Sequence, residues 1–189
     1  ATILRVLAGL VLPSRGTATV GGDAVATLDR PTIARRLAAV PGQVTFPFSA
    51  RVEDVVALGR LPHEDPFRGP RAADRAAVDA AITRVGIDRL RGRDAREISL
   101  GERQLVLVAL AVAQAAPLLV LDEPTVHLDL RHQVAVMELL ADLNEHDGTT
   151  VLAVLHDLSL ARHFFPRLAV LDGAPVNATS TPKTARTRS

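Results

Sequence analysis

Beyond residue 99, the apolar positions of the chain follow two alternating periods. Leu118–Leu121 and Thr150–Leu155 are nearly continuous apolar runs rich in branched residues, which is typical of strands covered on both faces of a parallel sheet. Before, between and after these runs, apolar residues recur at helical spacing. The elements predicted there are helices at Leu100–Ala115, Leu130–Glu145 and Leu158–Phe164 and a last strand at Leu168–Leu171. Helices that alternate with buried strands indicate a layered α/β fold with a parallel sheet.

The first part of the chain predicts smaller elements. They are a helix at Thr2–Val11, short strands at Thr17–Val20 and Asp23–Ala26, a helix at Thr32–Arg36, a buried strand at Leu37–Val40, and helices at Val52–Gly59 and Ala72–Val85. Gly21 and Gly22 join the two short strands and can supply the positive φ of a tight antiparallel hairpin. Several prolines punctuate residues 43–97, so the two helices in that segment indicate a helical insertion.

Composition excludes several classes of protein. The chain has 189 residues, 48% of them hydrophobic and none of them cysteine, which fits a globular domain and excludes disordered, collagen-like and disulfide-rich proteins. The net charge of +1 and the absence of long basic runs argue against nucleic acid as a partner. The longest apolar run, Leu105–Ala113, is about half of a membrane span. No secretory signal is visible at Ala1, so we expect a protein that is soluble or peripheral to a membrane, with a missing beginning.

Two carboxylates emerge together at the end of a predicted buried strand. Asp122 and Glu123 directly follow Leu118–Leu121, at the sheet edge where open α/β sheets place their ligands. An Asp at this position can hold Mg²⁺, and an adjacent Glu can accept a proton from a water that attacks a phosphoryl group. The alternative is that Asp122, Glu123 and Pro124 merely end a strand.

Polar residues also end the next predicted strand. His156 follows Thr150–Leu155 and can hydrogen-bond a terminal phosphate and the attacking water. Alternatively, this segment only starts a helix, since Asp157 is a good N-cap residue.

A third segment, Ile98–Gln104, opens a predicted helix. Ser99 and Glu102 have the S-x-x-E spacing of a capping box, which satisfies the first amides of the helix. The same helix start, with Gly101 allowing close approach, can bind phosphate. This segment alone does not decide between the two interpretations.

The order and spacing of these segments resemble the ATP-binding cassette (ABC) ATPase family. The resemblance rests on a helix opened by Ser-x-Gly-Glu-x-Gln, the apolar strand ending Asp-Glu-Pro, Val126–Asp129, and a later strand followed by His156; in that family they are the signature motif, Walker B, D-loop and H-loop. The first residues look like the helix after a P-loop and the hairpin that follows it. Within the family, Phe46–His63 and Val126–Gln133 look most like ATPases of importers for iron-siderophores, haem and cobalamin.

The resemblance implies a fold and an activity. The fold is a P-loop nucleotide hydrolase-type layered parallel sheet, with a nucleotide-binding core in residues 1–43 and 105–173 and a helical subdomain in residues 44–104. The tail in residues 174–189 is expected to be disordered, because its polar end has no apolar period. The activity is ATP hydrolysis that powers import, with ATP and Mg²⁺ as cofactors. The implied partners are a second ABC protomer, bound head to tail, and a polytopic membrane permease, which places the chain on the cytoplasmic face of the membrane.

The resemblance also assigns roles to particular residues. Asp122 organises Mg²⁺, Glu123 is the general base and His156 senses the phosphate. The residues implied to contact nucleotide, either directly or across the dimer, are Thr2, Gln43, Ser99, Gly101, Glu102 and Asp129.

The sequence departs from the family pattern at several points. The P-loop pattern G-x-x-x-x-G-K-[ST] is absent, and Ala1 stands where the family has the Mg²⁺-binding hydroxyl. Counting back from Val52 puts Gly42 at the Q-loop glutamine, a position that Gln43 fills only after a backbone shift. Leu100 replaces the first glycine of the signature motif. We therefore expect these 189 residues alone to hydrolyse ATP weakly or not at all. The alternative function is that of a degenerate, non-hydrolysing ABC subunit or fragment that binds a membrane subunit or an intact paralogue.

Overall fold

The computed structural model describes residues 2–42, 45–65, 67–170 and 177–180. The chain forms two compact units, Ala1–Val154 and Leu155–Ser189. The helices of the first unit are α1 (Thr2–Leu7), α2 (Arg30–Arg36), α3 (Val52–Ala57), α4 (Ala72–Val85), α5 (Leu100–Gln114) and α6 (Leu130–Glu145), with 3-10 turns at Val25–Thr27, Leu58–His63 and Asp88–Leu90. Its strands are β1 (Thr19–Val20), β2 (Asp23–Ala24), β3 (Leu37–Val40), β4 (Leu118–Asp122) and β5 (Thr150–Val154).

A three-stranded parallel sheet in the order β3-β4-β5 forms the centre of the first unit. Val40 pairs with Leu121, and Asp122 pairs with Val154, so the carboxyl ends of the three strands lie at one edge. The central strand is covered on both faces, since Leu119, Val120 and Leu121 are 3% exposed or less. The α/β layered prediction with a parallel sheet is therefore confirmed.

The predicted hairpin is present but shorter than expected. β1 and β2 pair antiparallel over two residues each. Gly21 and Gly22 connect them with φ angles of 62° and 91°, a conformation that glycine adopts without a steric penalty.

The first helix ends earlier than the apolar period indicates. The prediction extended it to Val11, whereas α1 ends at Leu7. Gly9 has a φ of 68°, and the N–H of Leu10 donates back to the Arg5 carbonyl, an arrangement that ends helices in the left-handed conformation. A methyl group added to Gly9 would lie 2.6 Å from Cδ1 of Ile33, so a side chain at this position would press against α2.

The helix α5 is buried along most of its length, because its residues are apolar on nearly all sides. It packs against α3, α4 and β3. Gly59 permits the closest approach, because a methyl group there would lie 2.3 Å from the Leu110 carbonyl oxygen. At the C-terminal end, the Gln114 side-chain amide donates to the carbonyls of Ala34 and Leu37 and so fastens the helix to the start of β3.

The second unit contains α7 (Leu158–Phe164), β6 (Arg167–Val170) and β7 (Asn177–Ser180). Asp157 caps α7 by accepting hydrogen bonds from the N–H groups of Ser159 and Leu160, as its residue type predicts. β6 pairs antiparallel with β7. The β7 strand departs from the expectation of a disordered tail; residues 174–176 and 181–189 of that tail lie outside the described residues.

Within the described ranges, every helix is too short or too polar to cross a membrane.

Candidate functional site

Asp122 and Glu123 lie at the carboxyl edge of the parallel sheet, as predicted. Asp122 is the last residue of β4, and the N–H of Glu123 donates to the Val154 carbonyl across a distance of 3.0 Å. Both residues are half-buried. The neighbouring strand thus fixes the backbone of the acidic pair at the edge where ligands of such sheets bind.

Glu123 adopts a left-handed backbone conformation. Its φ is 52°, which is uncommon for a residue other than glycine and is found preferentially at functional sites. The chain reverses immediately after it, since the N–H of Val126 donates to the Glu123 carbonyl and that of Leu128 donates to the Thr125 carbonyl. The acidic pair therefore stands at the start of a tight loop and does not merely continue the strand.

The loop after β3 packs directly against the acidic pair at Gly42. A methyl group on Gly42 would lie 2.9 Å from the Asp122 carbonyl oxygen and 3.9 Å from Cβ of Glu123. A side chain at this position would force the loop or β4 to shift, because the neighbouring atom belongs to the backbone. Gln43 lies outside the described residues, so its predicted role stays a prediction.

The start of α5 forms the capping box that its spacing predicts. The Ser99 hydroxyl accepts a hydrogen bond from the Glu102 N–H at 3.2 Å, and the Glu102 carboxylate accepts one from the Ser99 N–H at 3.0 Å. That second hydrogen bond, assisted by one from Arg89 at 2.6 Å, holds the pKa of Glu102 below its usual range despite partial burial. The structural interpretation of Ser99 and Glu102 is therefore confirmed; their contact with nucleotide stays a prediction.

Gly101 brings the first turn of α5 against the loop that follows β4. A methyl group on Gly101 would lie 2.9 Å from the His127 carbonyl oxygen and 3.4 Å from Cδ2 of Leu128. The glycine thus has a packing role within this chain, whether or not phosphate also approaches it. The first turn of α5 and the loop 123–129 are therefore in direct contact.

Asp129 caps α6. Its carboxylate accepts hydrogen bonds from the His132 N–H at 2.9 Å and is 2.8 Å from Nδ1 of the same histidine. These contacts lower the pKa of Asp129, the backbone hydrogen bond contributing most. Asp129 nevertheless remains 67% exposed at its side chain, so it is accessible to a second chain.

The other predicted residues lie in different places. Thr2 is the exposed first residue of α1, a helix whose Leu4 packs in a core cluster with Val120 of β4. His156 belongs to the second unit and directly precedes the helix cap Asp157. Its predicted role as phosphate sensor stays a prediction.

The sequence analysis counted Gln104 in the motif at the start of α5 but gave neither Gln104 nor Arg103 a role. Both line a cavity of about 360 Å³ beside the loops just described. The available signal was Gln104 itself, an uncharged polar residue that precedes the long apolar run of α5 and is only 3% exposed.

The described residues contain no group of three or more His, Cys, Asp and Glu side chains positioned to hold a metal ion. A Mg²⁺ bound with nucleotide takes only one or two protein carboxylates, the other ligands being phosphate oxygens and waters. Asp122, at the sheet edge, fits that sparse mode of binding.

The fold and the acidic sheet edge define an α/β domain of the P-loop nucleotide hydrolase class. The chain belongs to the ABC transporter family, whose family model matches residues 1–126.

Individual relatives agree with this classification. The cobalamin import ATP-binding protein BtuD of Halobacterium salinarum is 40% identical over 186 residues, which cover 98% of this chain and 46% of that protein. The ferric enterobactin transport ATP-binding protein FepC of Escherichia coli is 35% identical over 182 residues, which cover 96% of this chain and 67% of that protein. The chain thus spans about half to two thirds of the length of these relatives.

Solved structures resemble it as well. An inward-facing putative metal-chelate type ABC transporter aligns with a TM-score of 0.81 and 28% identity, covering 95% of this chain and 66% of the other. A dimeric, post-hydrolysis ATP-binding cassette, MJ0796 bound to ADP and Pi, aligns with a TM-score of 0.76 and 27% identity, covering 89% of this chain and 74% of the other.

Proposed function

We propose that this chain is the ATP-binding and ATP-hydrolysing part of an importer subunit, and that the imported substrate is an iron-siderophore, haem or cobalamin. The observation that carries the proposal is the position of Asp122 and Glu123 at the carboxyl end of the buried central strand β4. Relatives that import cobalamin and ferric enterobactin support the substrate class.

In this proposal Glu123 acts as the general base. It accepts a proton from the water that attacks the terminal phosphate of ATP, a step that requires a carboxylate held within reach of that water. The hydrogen bond from the Glu123 N–H to Val154 and the close packing of Gly42 hold the backbone of this residue in place. His156 contacts the phosphate in the same step.

Asp122 is the residue that would hold Mg²⁺. When bound, the ion neutralises phosphate charge that develops during the reaction. Thr2 and Gln43 would contact the bound nucleotide. Asp122, Thr2 and Gln43 therefore serve binding and orientation, and Glu123 serves proton transfer.

The second nucleotide-facing surface consists of Ser99, Gly101 and Glu102. In a head-to-tail dimer these residues of one protomer face the ATP bound by the other, and Asp129 contacts the partner from its exposed position at the start of α6. Dimeric relatives support this arrangement. The helical segment 44–104 would bind a membrane permease and so place the chain at the cytoplasmic face of the membrane.

A second function is favoured by Leu100. This residue replaces a signature glycine and is 59% exposed, so its isobutyl group stands at the surface that would meet the partner's nucleotide. A degenerate subunit that binds an intact paralogue or a membrane subunit without hydrolysing ATP would tolerate this substitution.

The test measures Mg²⁺–ATP binding and phosphate release for the 189-residue chain and for the complete gene product. We expect weak turnover from the 189 residues, which contain no G-x-x-x-x-G-K-[ST] pattern. For the complete product, Glu123→Gln should lower turnover by about 100-fold or more while leaving nucleotide binding intact, since general-base catalysis contributes about 10²–10⁴-fold.

Glu138→Gln is the matched control, because Glu138 is exposed on α6 and away from the sheet edge. Turnover by the complete product that is insensitive to Glu123→Gln would refute the assigned role. Binding without turnover in both forms, with capture of a membrane subunit or paralogue, would favour the degenerate subunit. Robust Glu123-dependent turnover by the 189 residues would contradict the expectation of weak activity.

A further inference from the structure

The loop between β4 and α6 joins two residues whose relative placement matters to the proposed function. Glu123, the general base, begins this loop, and Asp129, which would contact the second protomer, ends it as the N-cap of α6. The residues between them, 124–128, form turns and belong to no helix or strand. A movement of this short segment would therefore shift the base and the partner contact relative to each other.

The side chain of Gln133 holds this loop from α6. Its Nε2 lies 3.2 Å from the Thr125 carbonyl oxygen and 3.1 Å from the Leu128 carbonyl oxygen. The amide nitrogen has two N–H groups, so it can donate one to each carbonyl. Only the nitrogen end of the amide fits there, because an oxygen in its place would face two other oxygens. One side chain thus connects two points of the loop.

The position of Gln133 on α6 explains its reach. The residue lies at the end of the first helical turn, where its own N–H donates to the Asp129 carbonyl. Helical side chains point towards the N-terminus of their helix, so a side chain at this position extends over the residues that precede it. Gln133 is half-buried, and the two loop residues that it contacts are each 8% exposed, so water replaces these hydrogen bonds poorly.

The same loop also packs on α5 and closes on itself. A methyl group on Gly101 would lie 2.9 Å from the His127 carbonyl oxygen, so the two backbones are as close as a glycine allows. The N–H of Leu128 donates to the Thr125 carbonyl, which therefore accepts one hydrogen bond from the loop and one from Gln133. Substitution of Gln133 would thus loosen the loop without changing the sequence of the loop itself.

We propose that Gln133 is a positioning residue for ATP hydrolysis. Its amide fixes the loop between Glu123 and Asp129 and so keeps the general base aligned with the attacking water. Gln133 acts through Glu123 and itself contacts neither the nucleotide nor that water. The inference rests on the proposed function, because it gives the loop a task in that reaction. Loss of the amide should slow the chemical step and leave nucleotide affinity nearly the same, since misplacement of a reacting group by about 1 Å can cost about 100-fold in rate.

The test measures kcat, KM for ATP and the Kd for Mg²⁺–ATP in the complete gene product carrying Gln133→Glu. This substitution preserves the shape of the side chain, removes both N–H donors and places a carboxylate oxygen against two carbonyl oxygens. We expect kcat to fall about tenfold or more and Kd to change by less than about twofold. Gln133→Met, which removes the amide without adding charge, should also lower kcat.

Asn144→Asp is the matched control. Asn144 lies at the other end of α6, and its Nδ2 donates to the Thr149 carbonyl at 2.8 Å. The change converts an amide to a carboxylate, adds the same charge and removes a hydrogen bond to a backbone carbonyl, about 16 Å along the helix from Gln133. It should lower the thermal midpoint without lowering kcat. A merely structural role of Gln133 would give that same pattern.

A spectroscopic measurement tests the hydrogen bonds directly and does not depend on turnover. In the ¹³C,¹⁵N-labelled 189-residue chain, the carbonyl carbon signals of Thr125 and Leu128 should shift in Gln133→Met and should stay in place in Asn144→Asp. Circular dichroism verifies that each variant is folded.

Four outcomes would overturn the inference, and they distinguish it from the function on which it rests. Glu123-dependent turnover with an unaltered kcat in both Gln133 variants would overturn the positioning role alone. An equal loss of kcat in Asn144→Asp would do the same, because general destabilisation would then explain the effect. Carbonyl signals that ignore Gln133→Met would remove its hydrogen-bonding basis. Absent turnover, or turnover that Glu123→Gln does not lower, would overturn the proposed function and this inference with it.

Discussion

Gly42 shows how one residue without a side chain shapes the acidic sheet edge. The glycine lies against the Asp122 carbonyl, where an added methyl group would be 2.9 Å from the oxygen. The approach lets the loop after β3 cover the end of β4. The loop therefore packs directly on the acidic pair, and a side chain at residue 42 would displace either the loop or the end of β4.

We expect Gly42→Ala to destabilise the protein by about 1–3 kcal/mol, because overpacking forces backbone shifts of that cost. Urea-induced unfolding followed by circular dichroism measures the change. Gly92→Ala is the control, since Gly92 has no atom within 4 Å of an added methyl group. Equal stability of Gly42→Ala and the parent protein would show that the loop moves freely away from Asp122.

At the residue scale, the sequence predicts the position of the acidic pair at the sheet edge better than it predicts contacts between distant residues. Asp122 and Glu123 were identifiable because carboxylates that directly follow a buried apolar strand cost free energy to desolvate, so their presence there indicates a site. The contact between Gly42 and Asp122 was not, because residues 80 positions apart meet only when the sheet forms. Gly101 was assigned to phosphate approach, whereas in the chain itself it packs on His127.

At the scale of elements, a buried ion pair between Arg60 and Asp74 stabilises the helical segment. Asp74, in the first turn of α4, accepts hydrogen bonds from the Arg71 N–H and from Nε of Arg60. Arg60 also donates to the Ala113 carbonyl at the end of α5. The hydrogen bond from Arg71, followed by those from Arg60, lowers the pKa of Asp74 although burial opposes it.

Asp74→Asn should therefore remove a contribution to stability that depends on pH. A carboxyl group whose pKa is lowered by folding stabilises the protein above its unfolded pKa, about 3.9, and ceases to do so as the pH falls through the folded value. We expect a stability deficit for the variant at neutral pH that shrinks below about pH 4.

Thermal midpoints measured from about pH 2 to about pH 7 check this prediction, because that range spans the unfolded pKa of about 3.9. Asp54→Asn is the matched control, because Asp54 is exposed on α3. A deficit that stays constant across the acid range would mean that the charge of Asp74 is not the stabilising feature.

The sequence predicts whether a segment is a helix or a strand more reliably than it predicts the residues at which that element begins and ends. α4 and α6 begin and end as predicted, because their apolar periods and flanking breakers agree. α1 stops short because Gly9 adopts the left-handed conformation, which the apolar period does not report. β7 was missed because Asn177–Ser180 is polar and pairs with only one strand, so no apolar alternation marks it.

On the scale of the whole first unit, Arg84 connects distant parts of the chain. It lies in α4 and forms ion pairs with Asp142 of α6 and with Asp147. These pairs join the helical segment to the helix that follows the acidic loop. Because Arg84 is 32% exposed at its side chain, solvent screens the network in part.

Arg84→Gln should lower the free energy of unfolding by up to about 1 kcal/mol, and the loss should diminish as salt is added. Chemical unfolding at low and high salt measures both effects. Arg75→Gln on the same helix provides the control, since Arg75 is exposed and forms no ion pair among the described residues. A salt-independent loss would indicate that packing of the arginine stem, and not its charge, holds the segments together.

The cavity beside α5 was also beyond reach from the sequence, because its walls come from three segments that only the tertiary fold assembles. The family resemblance, in contrast, was visible in the sequence, because the motifs follow one another along the chain in the order and at the spacing of the family.

The side chain of Gln114 fastens one end of α5, and Gly101 packs the other end against the loop after β4. The Gln114 amide holds the Ala34 and Leu37 carbonyls at the base of the sheet, whereas Ser99 begins the helix 15 residues earlier, at the surface. The helix is therefore held at both ends, and a displacement of the loop after β4 would be passed along α5 to the residues where β3 begins.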